Sequence, residues 1–353
     1  MNRVRAILPF GQRVWLDNLS RELIASGELT RLLADDGIAG VTSNPSIFYK
    51  AIANDARYRD DLARLKGDAS LSAEARYEAL VVPDIQTACD LLSPLYRETA
   101  GADGYVSLEV SPHLANDEAG TLAAARRLWA ELARPNAMIK IPATPAGIRA
   151  FEVLTREGVN VNITLLFSLA QVDAVWDAYI AGLKARHADG APLGHVKAVA
   201  SFFLSRVDSL LDPLLPAELQ GKVAVALSKA AYARYHERFN GEEFAALKAA
   251  GARAQYLLWA STGTKNKAYS DVLYVESLIG DETVNTIPDA TLAAFRDHGV
   301  AAATLATGMD DAFVVLQGAS DAGIDLAATG DQLQADGLKL FDEAFGALLA
   351  LTA

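Results

Sequence analysis

The chain holds a single cysteine, Cys89, among 353 residues, so neither a disulfide framework nor a thiolate metal cluster can be built within it. That scarcity makes the cytoplasm the expected compartment. No run of about 18 apolar residues occurs, and the segment Met1 to Pro9 carries two cations but too short an apolar stretch for a signal peptide, so no membrane partner is expected. Basic residues are in the minority, 32 Lys and Arg against 44 Asp and Glu for a net charge of −12, and they form no cluster. Nucleic acid is therefore not an expected partner, because nothing would neutralise a phosphate backbone. Any anionic substrate must be met by a few local cations. A G-x-G-x-x-G does not follow the first strand, which weakens a dinucleotide-binding sheet. Internal repeats, linkers and low-complexity segments are missing too, and one domain over residues 1–353 is the economical reading. With 51% hydrophobic residues the chain can bury a large core.

What is present is alternation. Short β-branched segments, each ending in a polar residue, are each followed by a longer helical pattern: Val14 to Asp17, Gly40 to Asn44, Tyr105 to Glu109, Met138 to Ile141, Val161 to Thr164, Lys197 to Phe203, Tyr256 to Ala260 and Val284 to Ile287. Stretches such as Ala119 to Leu132, Leu169 to Arg186 and Ala226 to Ala250 carry alanine, leucine and charged residues at helical spacing. Eight strands alternating with helices predict an α/β fold, a closed (β/α)8 TIM barrel, with an open doubly wound sheet as the competitor. Residues 45–103 and 207–250 exceed a simple crossover and predict extra helices. Beyond residue 300 the pattern predicts a C-terminal extension of two or three helices closing on Phe341, Phe345 and Leu348.

Lys140 is a lone amine in the apolar run Ala137 to Thr144. On a buried strand low dielectric disfavours the charged form of an amine, and a neutral amine can attack a carbonyl to form a Schiff base. The plainer alternative is a lysine that snorkels to solvent or pairs with a carboxylate. A (β/α)8 barrel gathers its active site at the carboxyl ends of its strands, and the polar residues there are Asp17 and Asn18, Thr42 to Asn44, Glu109, Asn162 and Thr164, Ser201 with Arg206, and Ser261 with Lys265. Each has a bland reading. Asn44-Pro45-Ser46 can be a turn with Ser46 capping a helix, Asp17 or Ser20 can be caps, Thr164 can be packing, and Arg206 can pair with Asp208 at the surface. Glu109 is harder to dismiss, since a carboxylate in an apolar strand needs a partner or a raised pKa.

Together these segments resemble the transaldolases, particularly the bacterial single-domain subgroup. The stretches that carry the resemblance are Trp15 to Arg21, Gly40 to Phe48, Val106 to Val110, Ile139 to Thr144, Val161 to Ser168, Ser201 with Arg206, Trp259 to Asn266 and Thr283 to Thr286. The resemblance implies a (β/α)8 barrel in which Lys140 forms a Schiff base with a ketose C2 carbonyl, without metal or organic cofactor. It implies a pentose phosphate pathway transferase acting on sugar phosphates, moving a dihydroxyacetone unit from sedoheptulose 7-phosphate to glyceraldehyde 3-phosphate. Asp17 then matches the base for C3–C4 cleavage, and Glu109, working through a water also held by Thr164, matches the group that assists carbinolamine dehydration. Asn44 and Asn162, with Ser201, match groups that hold the dihydroxyacetone hydroxyls.

The chain departs from the pattern at the phosphate. Arg206 matches one of the family's two phosphate arginines, whereas the residues after Ser261 read Thr262-Gly263-Thr264-Lys265. Lys265 is the expected substitute, as a point charge without arginine's bidentate fork. Two rivals stay open: a fructose 6-phosphate aldolase-type lyase, disfavoured by Glu109 and chain length, and a non-catalytic sugar-phosphate-binding barrel, disfavoured by Lys140, Asp17, Glu109 and Thr164 occurring together. The expected assembly is a monomer or homodimer.

Overall fold

The computed structural model describes residues 2–353. Eight parallel strands, β1 (Arg13–Leu16), β2 (Gly40–Thr42), β3 (Tyr105–Glu109), β4 (Ala137–Pro142), β5 (Val161–Leu166), β6 (Ala198–Phe203), β7 (Tyr256–Ala260) and β8 (Thr283–Ile287), follow one another around a closed barrel. Closure is made by β8 pairing with β1, Val14 opposite Asn285 and Leu16 opposite Ile287. Helices cover the outside, and every residue of β3, β4, β5, β6 and β8 is buried. This is the (β/α)8 architecture expected from the alternation, each strand lying within about two residues of its predicted span.

The long connections contain the predicted extra helices. Between β2 and β3 run Pro45–Asn54, Arg59–Lys66 and Ala73–Glu98, and between β6 and β7 run Ser205–Leu211, Val223–Phe239 and Glu242–Ala249. The span Ala226 to Ala250, helical throughout by composition, is broken at Asn240-Gly241, two residues that favour helix ends over helix interiors. Two helices follow β8's own, Met309–Asp321 and Leu326–Thr352.

The last helix does more than close the core. Its Phe341, Phe345 and Leu348 are buried as predicted, but the helix lies across the carboxyl end of the barrel. Gln334 Nε2 donates to the carbonyls of Ala143 (2.9 Å) and Leu165 (3.0 Å), just past β4 and within β5. Leu165 has a φ of 65°, and the β5–β6 pairing slips between Ile163 and Leu166. A left-handed leucine is costly, and Gln334 holds the carbonyl it presents.

At the opposite end of the barrel Lys197, 3% exposed, lies with its Nζ 3.7 Å from the centre of the Tyr256 ring. Burial pushes its pKa down to about 8 from the ordinary 10.5. The unfolded chain then binds more protons between those values, so the penalty is fully present below pH 8 and is relieved as pH rises toward 10.5. The gap corresponds to about 3 kcal/mol, offset by about 1–2 kcal/mol of cation–π attraction. Lys197→Met is expected to raise the unfolding free energy at pH 7 by about 1–2 kcal/mol and to lose that advantage near pH 10.5. Urea titrations at the two pH values check it; an equal gain at both would show that the charge is not the cause.

Candidate active site

Three strands bring the central residues together. Glu109 on β3, Lys140 on β4 and Asn162 on β5 stand in register on adjacent strands, so their side chains share the inner face of the barrel. Lys140 Nζ lies 3.3 Å from Glu109 Oε2 and donates to the Ser43 carbonyl at 3.3 Å. Neither Glu109 oxygen accepts a hydrogen bond from a protein group, although both are buried. The pair is an ion contact with unused acceptor capacity. Burial pushes the Glu109 carboxyl up to about 7, against the opposing pull of Lys140. The buried Thr164 hydroxyl, two residues beyond Asn162, also has no protein partner.

A polar relay lies beside them. Ser201 Oγ donates to Asn162 Oδ1 at 2.7 Å, Asn162 Nδ2 donates to Ser107 Oγ at 3.1 Å, and Ser43 Oγ donates to the Ser107 carbonyl at 2.7 Å. These bonds fix Asn162 and Ser43, the two groups flanking Lys140.

The lysine faces an inner chamber of about 110 Å³, whose polar lining includes Asp17, Thr42, Asn44, Thr164, Ser201 and Arg206. An outer basin of about 960 Å³ shares Asp17, Asn44, Arg206 and Phe341 with it and adds Lys265 and Lys50. Asp17 follows β1, and burial raises its carboxyl above the usual carboxylate range; Lys140 opposes the rise and Asp289 adds to it. Its bland alternative, a helix cap, is not what the side chain does. Ser20 caps Arg21–Ala25 instead, accepting from Leu23 N at 3.1 Å.

Asn44, not Ser46, caps Pro45–Asn54, its Oδ1 accepting from Ile47 N at 3.0 Å. That bond leaves the Asn44 amide N–H groups for the cavity. Arg206 makes no surface pair with Asp208, whose carboxylate is taken by Tyr274 OH (2.7 Å) and Ala224 N (2.9 Å). The guanidinium instead lies 5.3 Å from the Phe203 ring and 6.0 Å from the Phe341 ring, with Nη1 buried and unpartnered. Gly337 on the last helix makes room for it, since a Cβ there would come within 3.1 Å of Arg206 Nη1. Ser261 has a φ of 56° and its hydroxyl shares a 2.8 Å hydrogen bond with that of Ser205, beside Arg206. Lys265 is exposed in the segment that follows.

Of the residues selected from sequence, Asp17, Asn44, Lys140, Thr164, Ser201, Arg206 and Ser261 line the inner chamber, and Lys265 lines the basin. Glu109 and Asn162 lie behind it, in contact with Lys140 and Ser201. Sequence reasoning missed Phe341 as a site residue: its ring centre is 5.6 Å from Lys140 Nζ as well as 6.0 Å from Arg206. Its helical spacing marks it as buried, and nothing in that spacing says against what. Among the described residues no group of three or more His, Cys, Asp or Glu is placed to hold a metal ion.

The model of the family described as "Transaldolase/Fructose-6-phosphate aldolase" matches residues 14–352. The chain is 54% identical to a protein named Transaldolase from Thiobacillus denitrificans, over 99% of both chains. It is 55% identical to a Transaldolase from Neisseria gonorrhoeae over 96% of both. A protein named Transaldolase 2 from a Nostoc species is 43% identical over 99% of this chain and 96% of its own.

With Glu109 titrating near 7, its carboxylate form beside Lys140 is depleted in acid. Reductive alkylation of Lys140 by a small hydroxyketone and cyanoborohydride is therefore expected to slow as pH falls through about 7, beyond the reagent's own pH dependence. Glu109→Gln should lack that inflection. Label quantified on the Lys140 peptide across pH 5.5–8.5 checks this; an unchanged inflection in the variant would assign the titration to another group.

Proposed function

The chain belongs to the transaldolase/fructose-6-phosphate aldolase family, and from that premise we propose how its barrel performs the transaldolase reaction. It transfers a dihydroxyacetone unit from sedoheptulose 7-phosphate to glyceraldehyde 3-phosphate, giving erythrose 4-phosphate and fructose 6-phosphate. The observation that carries the reading is the buried Lys140 amine 3.3 Å from an otherwise unpaired carboxylate, facing a chamber that also holds Asp17.

Lys140 gives a proton to Glu109 and attacks the ketose C2 carbonyl as a neutral amine, forming a carbinolamine. Water then leaves, with Glu109 and the Thr164 hydroxyl moving the proton it needs through a bound water. The resulting iminium accepts electrons as the C3–C4 bond breaks, while Asp17 takes the proton from the C4 hydroxyl, so that an aldehyde departs and an enamine stays on Lys140. Addition of the enamine to the second aldehyde, with Asp17 returning its proton to the new C4 oxygen, and hydrolysis of the new iminium restore the amine and the Asp17 carboxylate. Two carboxylates raised by burial, each at its own place around one lysine, suit two different proton transfers.

The compartments support the division of the substrate. An inner volume of about 110 Å³ suits the three-carbon fragment, with Asn44 and Ser201 toward its hydroxyls and Asn162 holding Ser201 in place. The basin beyond suits the chain carrying the phosphate, toward Arg206 and Lys265. An orphan guanidinium N–H group, buried and directed by two aromatic rings, is a site built for an anion.

Incubation with fructose 6-phosphate and erythrose 4-phosphate is expected to yield sedoheptulose 7-phosphate and glyceraldehyde 3-phosphate. Borohydride added with fructose 6-phosphate alone should attach a three-carbon adduct to Lys140. Release of free dihydroxyacetone in place of transfer would favour the lyase activity, and label on another lysine would refute the Schiff-base assignment.

Each charge-assisted contact to phosphate contributes roughly 1.5–3 kcal/mol, or about one to two powers of ten. Arg206→Ala and Lys265→Ala are accordingly expected to lower kcat/KM for fructose 6-phosphate by that amount while sparing the slow reaction of unphosphorylated fructose. Steady-state kinetics on both sugars decides: loss on both in proportion would remove the residue concerned from the phosphate site.

A further inference from the structure

Of the two proposed phosphate cations, Arg206 sits on a helix and Lys265 in an irregular segment. Lys265, Asn266, Lys267 and Ala268 are all exposed. The segment is anchored at its base by Thr262 Oγ1, which donates to the Thr286 carbonyl at 2.6 Å, and at its far end by Tyr274 through the bond to Asp208. Between these anchors Tyr269 is the first contact back to the barrel after Lys265, ahead of Asp271, which pairs with His298 at 2.9 Å, and of the buried Val272.

The Tyr269 hydroxyl donates to Asp212 Oδ2 at 2.7 Å, while Asp212 Oδ1 accepts from Gly221 N at 2.8 Å. The Tyr269 ring lies flat against Gly221, whose φ is 70° and where a Cβ would stand 2.8 Å from the ring. Asp212 directly follows the helix Ser205–Leu211 that carries Arg206. Two tyrosine-to-aspartate bonds, Tyr274 to Asp208 and Tyr269 to Asp212, thus join the segment bearing one proposed cation to the helix bearing the other. Lys265 also borders a side cavity of about 270 Å³ lined by Asp208 and Asp212. An untethered Lys265 has two carboxylates to turn toward, and the tyrosine hydroxyls already occupy them.

We propose that the Tyr269–Asp212 hydrogen bond is a positioning contact that holds Lys265 at the phosphate end of the site, and so sets the enzyme's affinity for phosphorylated sugars without touching substrate. The proposal rests on the phosphate role of Lys265 given above. A tether of this kind acts chiefly on binding, since Lys140 and Glu109 lie on β4 and β3, Asp17 lies just past β1, and Lys265 reaches Asp17 only as a minor electrostatic influence beside burial and Lys140.

Tyr269→Phe, which deletes only the hydroxyl, is expected to raise KM for fructose 6-phosphate about three- to tenfold with kcat unchanged, the range set by one hydrogen bond. It should leave kcat/KM for unphosphorylated fructose as it was. Asp212→Asn keeps one oxygen to accept from Gly221 N and turns an NH2 toward the tyrosine oxygen, which can accept from it, so the contact survives with its direction reversed and the variant should stay near the parent enzyme, whereas Asp212→Ala should copy Tyr269→Phe. Combining Tyr269→Phe with Lys265→Ala should add no further loss to that of Lys265→Ala. If Lys265→Ala weakens phosphate use but Tyr269→Phe does not, the tether is overturned and the phosphate site stands. If Lys265→Ala has no effect on phosphate use, the phosphate role itself is wrong and the proposal falls with it. Proportional loss on both sugars in Tyr269→Phe, or additive losses in the double variant, would show a structural contact only.

Discussion

Holding an ionisable pair inside a barrel is the constraint from which the rest of the site follows. Taking an amine and a carboxylate out of water costs several kcal/mol per ion, and attraction between them recovers it only when geometry and hydrogen bonding are good. Lys140 and Glu109 meet at 3.3 Å, yet the carboxylate has no other donor. Burial raises the Glu109 carboxyl to about 7, so both of its protonation states are populated near neutral pH. Stability must then come from elsewhere. It comes from strands buried along their whole length and from helices packed outside them, which hold the backbone at positions 109 and 140 regardless of what their side chains prefer.

The barrel was legible in the sequence because its two periodicities are strong. Strand cores of Val, Ile and Ala bounded by polar residues, alternating with long Ala- and Leu-rich helices, permit few architectures. The polar residues at strand ends were legible as a set for the same reason: once the barrel is accepted, topology puts them at one pole. Individual roles were harder. Asn44 reads equally as a cap or a ligand group, and in the structure its Oδ1 caps while its N–H groups remain for the cavity. Arg206 and Asp208, two residues apart, suggested a surface pair until the partners of Asp208 proved to be Tyr274 and Ala224.

What could not be read was the path of the last helix. Periodicity identifies Phe341, Phe345 and Leu348 as a buried face, but the partner surface depends on where the helix goes. Gln334 decides that by hydrogen bonding to the carbonyls of Ala143 and Leu165. A lone glutamine on a polar-to-apolar boundary carries no sequence signal for such a contact. The bulge at Leu165 is equally silent, since leucine seldom adopts the left-handed region and nothing local announces it.

That helix couples the two ends of the site. Phe341 stands near both Lys140 and Arg206, and Gly337 one turn earlier leaves space for the guanidinium. The ring presents an apolar face to both the amine and the proposed anion site, and a lower local dielectric there would strengthen a phosphate–guanidinium contact. Under the proposed roles of Arg206 and Lys140, binding energy gained at the phosphate is available to orient a carbonyl over an amine several ångströms away. In a chain with net charge −12, such an anion site cannot rely on the general field of the protein. It has to be made from a few cations held in place, and the contacts that hold them matter as much as the charges themselves.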